Sequence, residues 1–321
     1  MAGLRTETDE EAAPASRVLT RLGLVALQRV LDAHRAWLEG GAGGLRANLQ
    51  SMVLAEADLE RVNLERADLR GAKLIDARLS EANLCGASLQ WTDLTDATLA
   101  GADLAQAELV DARLDGALMA EANLSEARVK NTSFRGANLR GARFLEAALD
   151  QCDFSAARLP GVSMLQARAF DCNFVDADLS GAKLYNAIFR CCRLLELSAS
   201  ESNWSGATVE NCDARRADLA MSRFDRADLR QSCFCGANLM GSSLQSAKMN
   251  GADFQNADLS TARLFDAAIM GTNLRGANLR GAQGLTQNQL GQARTDSGTI
   301  LPNGARGPFM LGSGAHRPGR L

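Results

Sequence analysis

The chain has 321 residues and a formal charge of −3, from 35 basic and 38 acidic side chains, a balance that excludes a strongly basic nucleic-acid binder and a strongly acidic tail protein. Apolar residues make up 46 % and aromatics only 5 %, so any core has to be built mostly of Ala and Leu. No uninterrupted run of about 18 apolar residues is present, which argues against a membrane span.

The N-terminus runs from Met1 to Arg5 into the acidic Asp9-Glu10-Glu11, not into an apolar signal region. Residues 1–15 are expected to be disordered. The protein is then expected to be cytoplasmic, with its eight cysteines reduced. Residues 16–39 carry apolar side chains at helical spacing, Val18, Leu22, Val25, Val30 and Trp37, with Ser16 as N-cap and Gly40-Gly41 as the stop. This predicts a helical element over 16–46. His34 lies in it and reads as a packed helix residue, not a catalytic one.

From Leu49 every fifth residue through Leu279 defines 47 positions, of which all but Ala169, Ala199 and Ala214 are large and apolar. Two residues earlier runs a small column from Ala47 to Ala277, Ala at 32 of 47 positions. Between them runs a polar column, Asn or Asp at 21 of 47, as in Asp58, Asp68, Asn83 and Asp103. No insertion breaks the phase from 47 to 281. A period of five matches neither a helix nor a strand. It matches a chain that turns a corner every five residues, so that four corners close a 20-residue coil and the next coil stacks on it. Glycine falls in one column, the second residue after the Leu (Gly71, Gly86, Gly101), where a turn calls for positive φ.

The A-(D/N)-L-x-x pattern, as in Ala67-Asp68-Leu69-Arg70-Gly71 and in Gly136 to Ala142, resembles the pentapeptide-repeat family. The resemblance covers about three quarters of the chain. It implies an all-β solenoid, a right-handed quadrilateral β-helix with the central Leu and the preceding small residue inward. About 12 coils at ~4.8 Å each give a rod on the order of 56 Å long over 47–281. The run His34 to Glu39, followed by a Gly-rich stretch and Arg46-Ala47-Asn48-Leu49, is similar to a leader common in bacterial members, which implies an N-terminal cap.

Residues 20 apart are expected directly above one another. Phe134, Phe154 and Phe174 form one stack, which Phe234 and Phe254 resume. Beside it Thr132, Cys152, Cys172, Cys192, Cys212 and Ser232 occupy the small inward column. The four cysteines read as slightly larger core fillers, because a straight ladder offers no convergent zinc ligands. Cys85, Cys191, Cys233 and Cys235 fall in outward columns and are the more reactive ones. Leu197 is too large for its column, while Ala199 and Ala214 underfill theirs, so a bulge or softened coil is expected between Leu194 and Arg215. Beyond the repeats, Thr286 to Gln289 spell a T-x-x-Q capping box, and 282–302 read as a C-terminal cap with a short helix. Residues 303–321, rich in Gly, Arg and Pro, are expected to be disordered.

No GxxxxGK(S/T) or HExxH motif is present, and both histidines lie outside the repeats, so no nucleophile has a His partner. The residues indicate no catalytic site, no metal site and no cofactor. Function is then expected on outward residues. Leu145, Leu165 and Tyr185 stack at 20-residue spacing, and Phe170, Val175, Ile188 and Leu195 lie in adjoining outward columns. A stacked apolar stripe marks a surface for a protein partner or a homodimer. The leading reading is therefore a non-enzymatic interaction scaffold.

A second reading follows from the resemblance, since some members of the family imitate duplex DNA and bind DNA gyrase. Duplex charge density over ~56 Å would need roughly 33 negative charges. Residues 46–285 carry 31 acids and 26 bases. Residues 79–127 come closer, with nine acids against Arg113 alone, including Asp93, Asp96, Asp103, Glu108, Asp111 and Asp115. They spread around all sides as a belt, and the overall balance speaks against nucleic acid as a ligand. A third reading, also from the resemblance, is a secreted bacterial effector.

Overall fold

The computed structural model describes residues 21–318. The expected N-cap Ser16, Val18 and the expected disorder of 1–15 lie outside the described residues.

The chain forms a parallel β-solenoid in which successive turns are in register at 20 residues. Each turn carries four ladders, seen at Asn48↔Asp68, Val53↔Lys73, Asp58↔Arg78 and Asn63↔Asn83, and the register holds through Asp258↔Asn278. Every five-residue unit repeats one set of backbone bonds. Leu49 N–H donates to the Asp68 carbonyl (2.7 Å), Ser51 N–H to Arg70 (2.9 Å), and Asp68 N–H donates back to Ala47 (2.9 Å). These donors and acceptors are thus satisfied between turns by backbone alone.

The corner is a type II turn. The Leu54 carbonyl accepts from Ala57 N–H at 3.1 Å, and the second residue after the Leu has positive φ at every corner, glycine or not, as at Glu56 (58°), Asn131 (48°) and Gly136 (64°). In the polar column the side chain completes the corner, since Asn48 Oδ1 accepts from Gln50 N–H (3.1 Å) and Asp103 Oδ1 from Ala105 N–H (3.0 Å). That is the physical reason for Asn and Asp there.

One side of the coil departs from this rule. Strands β1 (Glu108–Val110), β2 (Arg128–Lys130), β3 (Ala148–Asp150), β4 (Arg168–Phe170), β5 (Ile188–Arg190) and β6 (Thr208–Glu210) form a six-stranded parallel sheet ordered β1-β2-β3-β4-β5-β6. At their ends the turn bond that closes most other corners is absent among the described residues; no N–H bonds back from Ala112 to Leu109, or at the five equivalents above it, and in β1–β5 that carbonyl instead takes a ladder bond from the next strand.

The inward column is buried throughout, from Leu49 to Leu279. Each such Leu contributes roughly 1.5–3 kcal/mol of burial. Phe134, Phe154 and Phe174 stack at 4.7 and 4.8 Å between ring centroids, and Phe234 and Phe254 at 4.8 Å. The bulge expected between Leu194 and Arg215 does not form. The ladders Arg193↔Asp213 and Ser198↔Asp218 run through unbroken. Leu197 and Trp204, both buried, fill the space left by Ala199 and Ala214 and leave a void of only about 10 Å³. Trp204 Nε1 donates to Ser202 Oγ (2.7 Å), so the large ring enters the core with its polar atom satisfied.

Helix α1 (Arg21–Leu38) lies against the first turn. Its packed residues are Leu27, Val30, Leu31 and His34. Val25 is 51 % exposed while Val30 packs, so the buried face only partly overlaps the one expected. Met52 and Val62, too large for the small column, are partly buried beside Val30 and Leu31 in the same cluster. Gly44 is required after the helix, because a Cβ there would sit 2.3 Å from Trp37 N.

At the other end, helix α2 (Gln287–Gln292) starts at a complete capping box. Gln289 N–H donates to Thr286 Oγ1 (3.2 Å), and Thr286 N–H to Gln289 Oε1 (2.8 Å). Gln289 Nε2 also donates to the Ala267 carbonyl (2.8 Å), and Leu290 is buried. The chain then pairs Arg294 with Asn273 and Ile300 with Asn278. The disorder expected for 303–321 does not hold for 303–318. Arg306 pairs antiparallel with Ile300, Phe309 packs on the core with its N–H on Thr295 Oγ1 (3.0 Å), and Ala315 is buried. Composition pointed to disorder, but the last turn presents an unpaired edge that this segment covers.

Candidate interaction surfaces

Leu145, Leu165 and Tyr185 occupy one corner on three successive turns, tied by Glu146 N–H to Leu165 O (3.0 Å) and Gln166 N–H to Tyr185 O (3.1 Å). Leu145 and Tyr185 are 40 % and 42 % exposed, and Leu165 is half-buried between them. Ile188 projects from β5, on the side that follows this corner, and Phe170 ends β4 at the next corner. Both are half-buried. Ile188 pairs with Arg168 and Phe170 with Arg190, which makes the two apolar residues diagonal neighbours.

Val175 and Leu195 do not join them. They lie one further side on, at the corner diagonally opposite Leu145, Leu165 and Tyr185, because two ladders intervene along the chain in each turn. The seven apolar residues therefore form one cluster of five and a separate pair. Phe265, 41 % exposed, shares the column of Tyr185 but lies four turns away.

The acidic segment is a belt whose carboxylates are largely engaged with groups of the rod itself, on the same or the adjacent turn. Asp93 accepts from the Thr95 N–H (3.2 Å) and hydroxyl (2.6 Å). Asp103 accepts from Asn123 Nδ2 (2.8 Å), Glu108 from Gln90 Nε2 (2.6 Å), and Asp111 from Asn131 Nδ2 (3.2 Å). Asp115 accepts from Arg135 N–H (3.2 Å) and faces Arg113 at 3.6 Å. Asp96 is exposed and leans over Gly116, where a Cβ would meet its carboxylate.

The inner cysteine ladder is buried, as the column predicts, and it has a task that column reading missed. Each thiol lies between two carbonyls that it can donate to: one at the corner one turn below, Val129 for Cys152 (3.5 Å), Leu149 for Cys172 (3.7 Å), Ala169 for Cys192 (3.4 Å) and Phe189 for Cys212 (3.4 Å), and one two residues earlier in its own turn, Asp150 (3.5 Å), Phe170 (3.3 Å), Arg190 (3.4 Å) and Glu210 (3.4 Å). The lower carbonyls belong to β2–β5 and also take a ladder bond of the sheet. Thr132 serves Leu109, and Ser232 serves Val209 (2.9 Å). Ala112 belongs to the same column, and the carbonyl beneath it, on Leu89, already accepts from Thr92 N–H (3.3 Å). Thr92 and Thr272 make the same bond one turn down, to the Leu69 (3.0 Å) and Met249 (2.9 Å) carbonyls. Contact with Cys172 and burial push the Cys152 thiol well above its ordinary range.

Among the described residues no helix is long and apolar enough to cross a membrane. The solved structure of HetL, a pentapeptide repeat protein involved in heterocyst differentiation regulation from the cyanobacterium Nostoc sp. strain PCC 7120, is 29 % identical, with 71 % of this chain and 92 % of that one covered and a TM-score of 0.27. QnrB1, a plasmid-mediated fluoroquinolone resistance protein, is 20 % identical over 62 % of this chain and 85 % of that one, with a TM-score of 0.32. A pentapeptide repeat protein from the Arabidopsis thaliana thylakoid lumen is 24 % identical over 43 % and 69 %, with a TM-score of 0.15. No curated protein matches the chain. The sequence model for pentapeptide repeats matches in eight copies, within residues 46–155 and 164–260. With most of its length matched in this way, the chain belongs to the pentapeptide-repeat family.

Proposed function

We propose that the chain is a non-enzymatic scaffold that binds a protein partner through outward-facing residues. Its body is a rigid rod, right-handed and four-sided, of about 12 turns at ~4.8 Å each. Helix α1 closes one end, and α2 with the segment after it closes the other. The eight free cysteines accord with a reducing cytoplasm.

The observation that carries this reading is the corner at Leu145, Leu165 and Tyr185. Outward positions on a solenoid of this kind are solvated, yet here three successive turns stack apolar side chains, with Phe170 and Ile188 beside them. Stacked apolar surface is where a partner, or a second copy of the chain, gains burial. The DNA-mimic reading has less support, because the belt carboxylates accept hydrogen bonds from side chains of neighbouring coils and do not line up as a stripe of free charge.

The test is a pull-down from native cells with full-length tagged protein carrying Leu165→Lys and Tyr185→Lys, alongside light scattering for the homodimer. Loss of the co-purifying partner, or of the dimer, with an unchanged melting temperature supports the scaffold. An unchanged partner set and mass removes this surface from consideration. Inhibition of gyrase supercoiling by the wild-type chain at low micromolar concentration would favour the mimic instead.

A further inference from the structure

Cys233 and Cys235 have no packing role. The inner thiols replace Ala in a buried column, but these two lie in outward columns otherwise held by polar or chain-capping residues, such as Asp213 and Asp253 beside Cys233, and Arg215 and Gln255 beside Cys235. Residues two apart across a corner both face outward on the same side, and here the two Sγ atoms meet at 2.6 Å. The next turn sets Asp253 directly above Cys233, in the bridge Cys233↔Asp253. Ligand atoms of Cys233, Cys235 and Asp253 all lie within 4.8 Å of one another, and the three residues are half-buried. Asp253 Oδ1 accepts from Gln255 N–H (2.9 Å) and Asn273 Nδ2 (2.9 Å), which fixes the carboxylate beside the thiols in the manner of an outer shell around a metal ligand.

We propose that Cys233, Cys235 and Asp253 bind a thiophilic divalent cation of the Zn²⁺ class, as two thiolates and one carboxylate with a fourth position open to water or to a donor from a partner. Two sulfurs and an oxygen match the preference of a borderline-soft cation and not that of Mg²⁺ or Ca²⁺. Tetrahedral coordination at ~2.3 Å places two sulfurs about 3.8 Å apart, so binding requires the thiols to separate by rotation about their Cα–Cβ bonds. The corner leaves room for this, because both side chains point away from the coil. Binding releases one proton from each thiol, and the cation's two charges balance the two thiolates. Arg215 lies nearby but is committed to Asp213 through two bonds of 2.7 Å, leaving little free positive charge to repel the ion.

The experiment uses the full chain, reduced and stripped of metal, titrated with Co²⁺ as spectroscopic probe and then with Zn²⁺ as competitor. One equivalent of Co²⁺ should give a near-ultraviolet thiolate-to-cobalt band, bleached by Zn²⁺ with release of two protons. Cys233→Ser and Cys235→Ser should each abolish the band, Asp253→Asn should weaken binding at least tenfold, and Cys191→Ser should leave it unchanged. All four positions face outward, so their melting temperatures provide the folding control. A band that survives in Cys235→Ser, or no uptake of either ion, overturns the proposal. So does a 2 Da loss of mass without uptake, which would mean that the pair closes into a disulfide.

Discussion

Cys192 Sγ lies 3.4 Å from the carbonyl oxygen of Ala169 one turn below and donates to it where the backbone makes no turn bond. Replacing Cys172, the thiol beneath it, by Ser should preserve donation and cost little. Cys172→Ala should remove a weak second donor from the Leu149 carbonyl, which keeps its ladder bond to β4, at about 0.5–1.5 kcal/mol. Ala112 shows that Ala itself fits this column, so the difference between the two variants isolates the hydrogen bond from the packing. Chemical denaturation of both variants measures it, and equal stabilities would show that the thiols act only as filler.

Ala47 opens the first turn, where no preceding corner supplies the carbonyl that Leu64 supplies to Ala67 N–H. The Ala47 N–H donates to His34 Nδ1 at 3.1 Å, and the ring stacks on Trp37 at 5.5 Å. Burial lowers the His34 pKa from its ordinary 6.5. A folded-state pKa below the unfolded one means that the unfolded chain takes up the proton first. The stability from this contact is complete above about pH 6.5 and declines as pH falls below it. The carboxylates of Asp68, Asp213 and Asp228, held below their usual range chiefly by hydrogen bonds from Arg70, Arg215 and Arg230, titrate at lower pH and do not obscure this window. The melting temperature should fall between pH 7.5 and 5.5. His34→Ala should flatten that slope and lower stability by about 1–3 kcal/mol at neutral pH.

The repeat made the inward columns and the 20-residue register legible from sequence, because each position repeats one steric demand and errors in phase would place Leu in water. The ends were harder. Helical spacing marked Val25 and Val30 alike, yet only Val30 packs, joined by Leu27, Leu31 and His34, because the first turn decides which face of α1 is covered. Gly, Arg and Pro after 303 gave no sign that Arg306 would pair with Ile300, since an open edge exists only once the coil is built. The candidate surface was half legible. Stacking of Leu145, Leu165 and Tyr185 follows from counting by 20, but separation of Val175 and Leu195 requires knowing the order of sides around the coil.

Thiol accessibility should divide the cysteines along the same lines. Native-state alkylation should modify exposed Cys191 first, half-buried Cys85, Cys233 and Cys235 more slowly, and Cys152, Cys172, Cys192 and Cys212 only when the coil opens. Peptide mass spectrometry over time gives the order. Early labelling of Cys172 would show that the middle of the rod opens far more readily than its burial allows.

Gly136 and Gly284 separate two costs of adding a side chain. Both have positive φ, 64° and 84°. A Cβ on Gly136 would touch nothing within 4 Å, and neighbouring corners hold Asn131 and Glu146 at similar φ. Gly136→Ala should therefore cost only the left-handed backbone term, about 1–2 kcal/mol. On Gly284, where the chain leaves the last repeat for α2, a Cβ would lie 2.5 Å from Phe265 N and 2.6 Å from its Cα, and backbone cannot move aside as a flexible side chain does. Gly284→Ala adds that collision to the same backbone term and should exceed ~2 kcal/mol. Its damage should be local, with hydrogen exchange rising around 265–302 while the middle of the rod stays protected. Equal costs for the two variants would mean that the C-terminal segment does not pack on Phe265 as described.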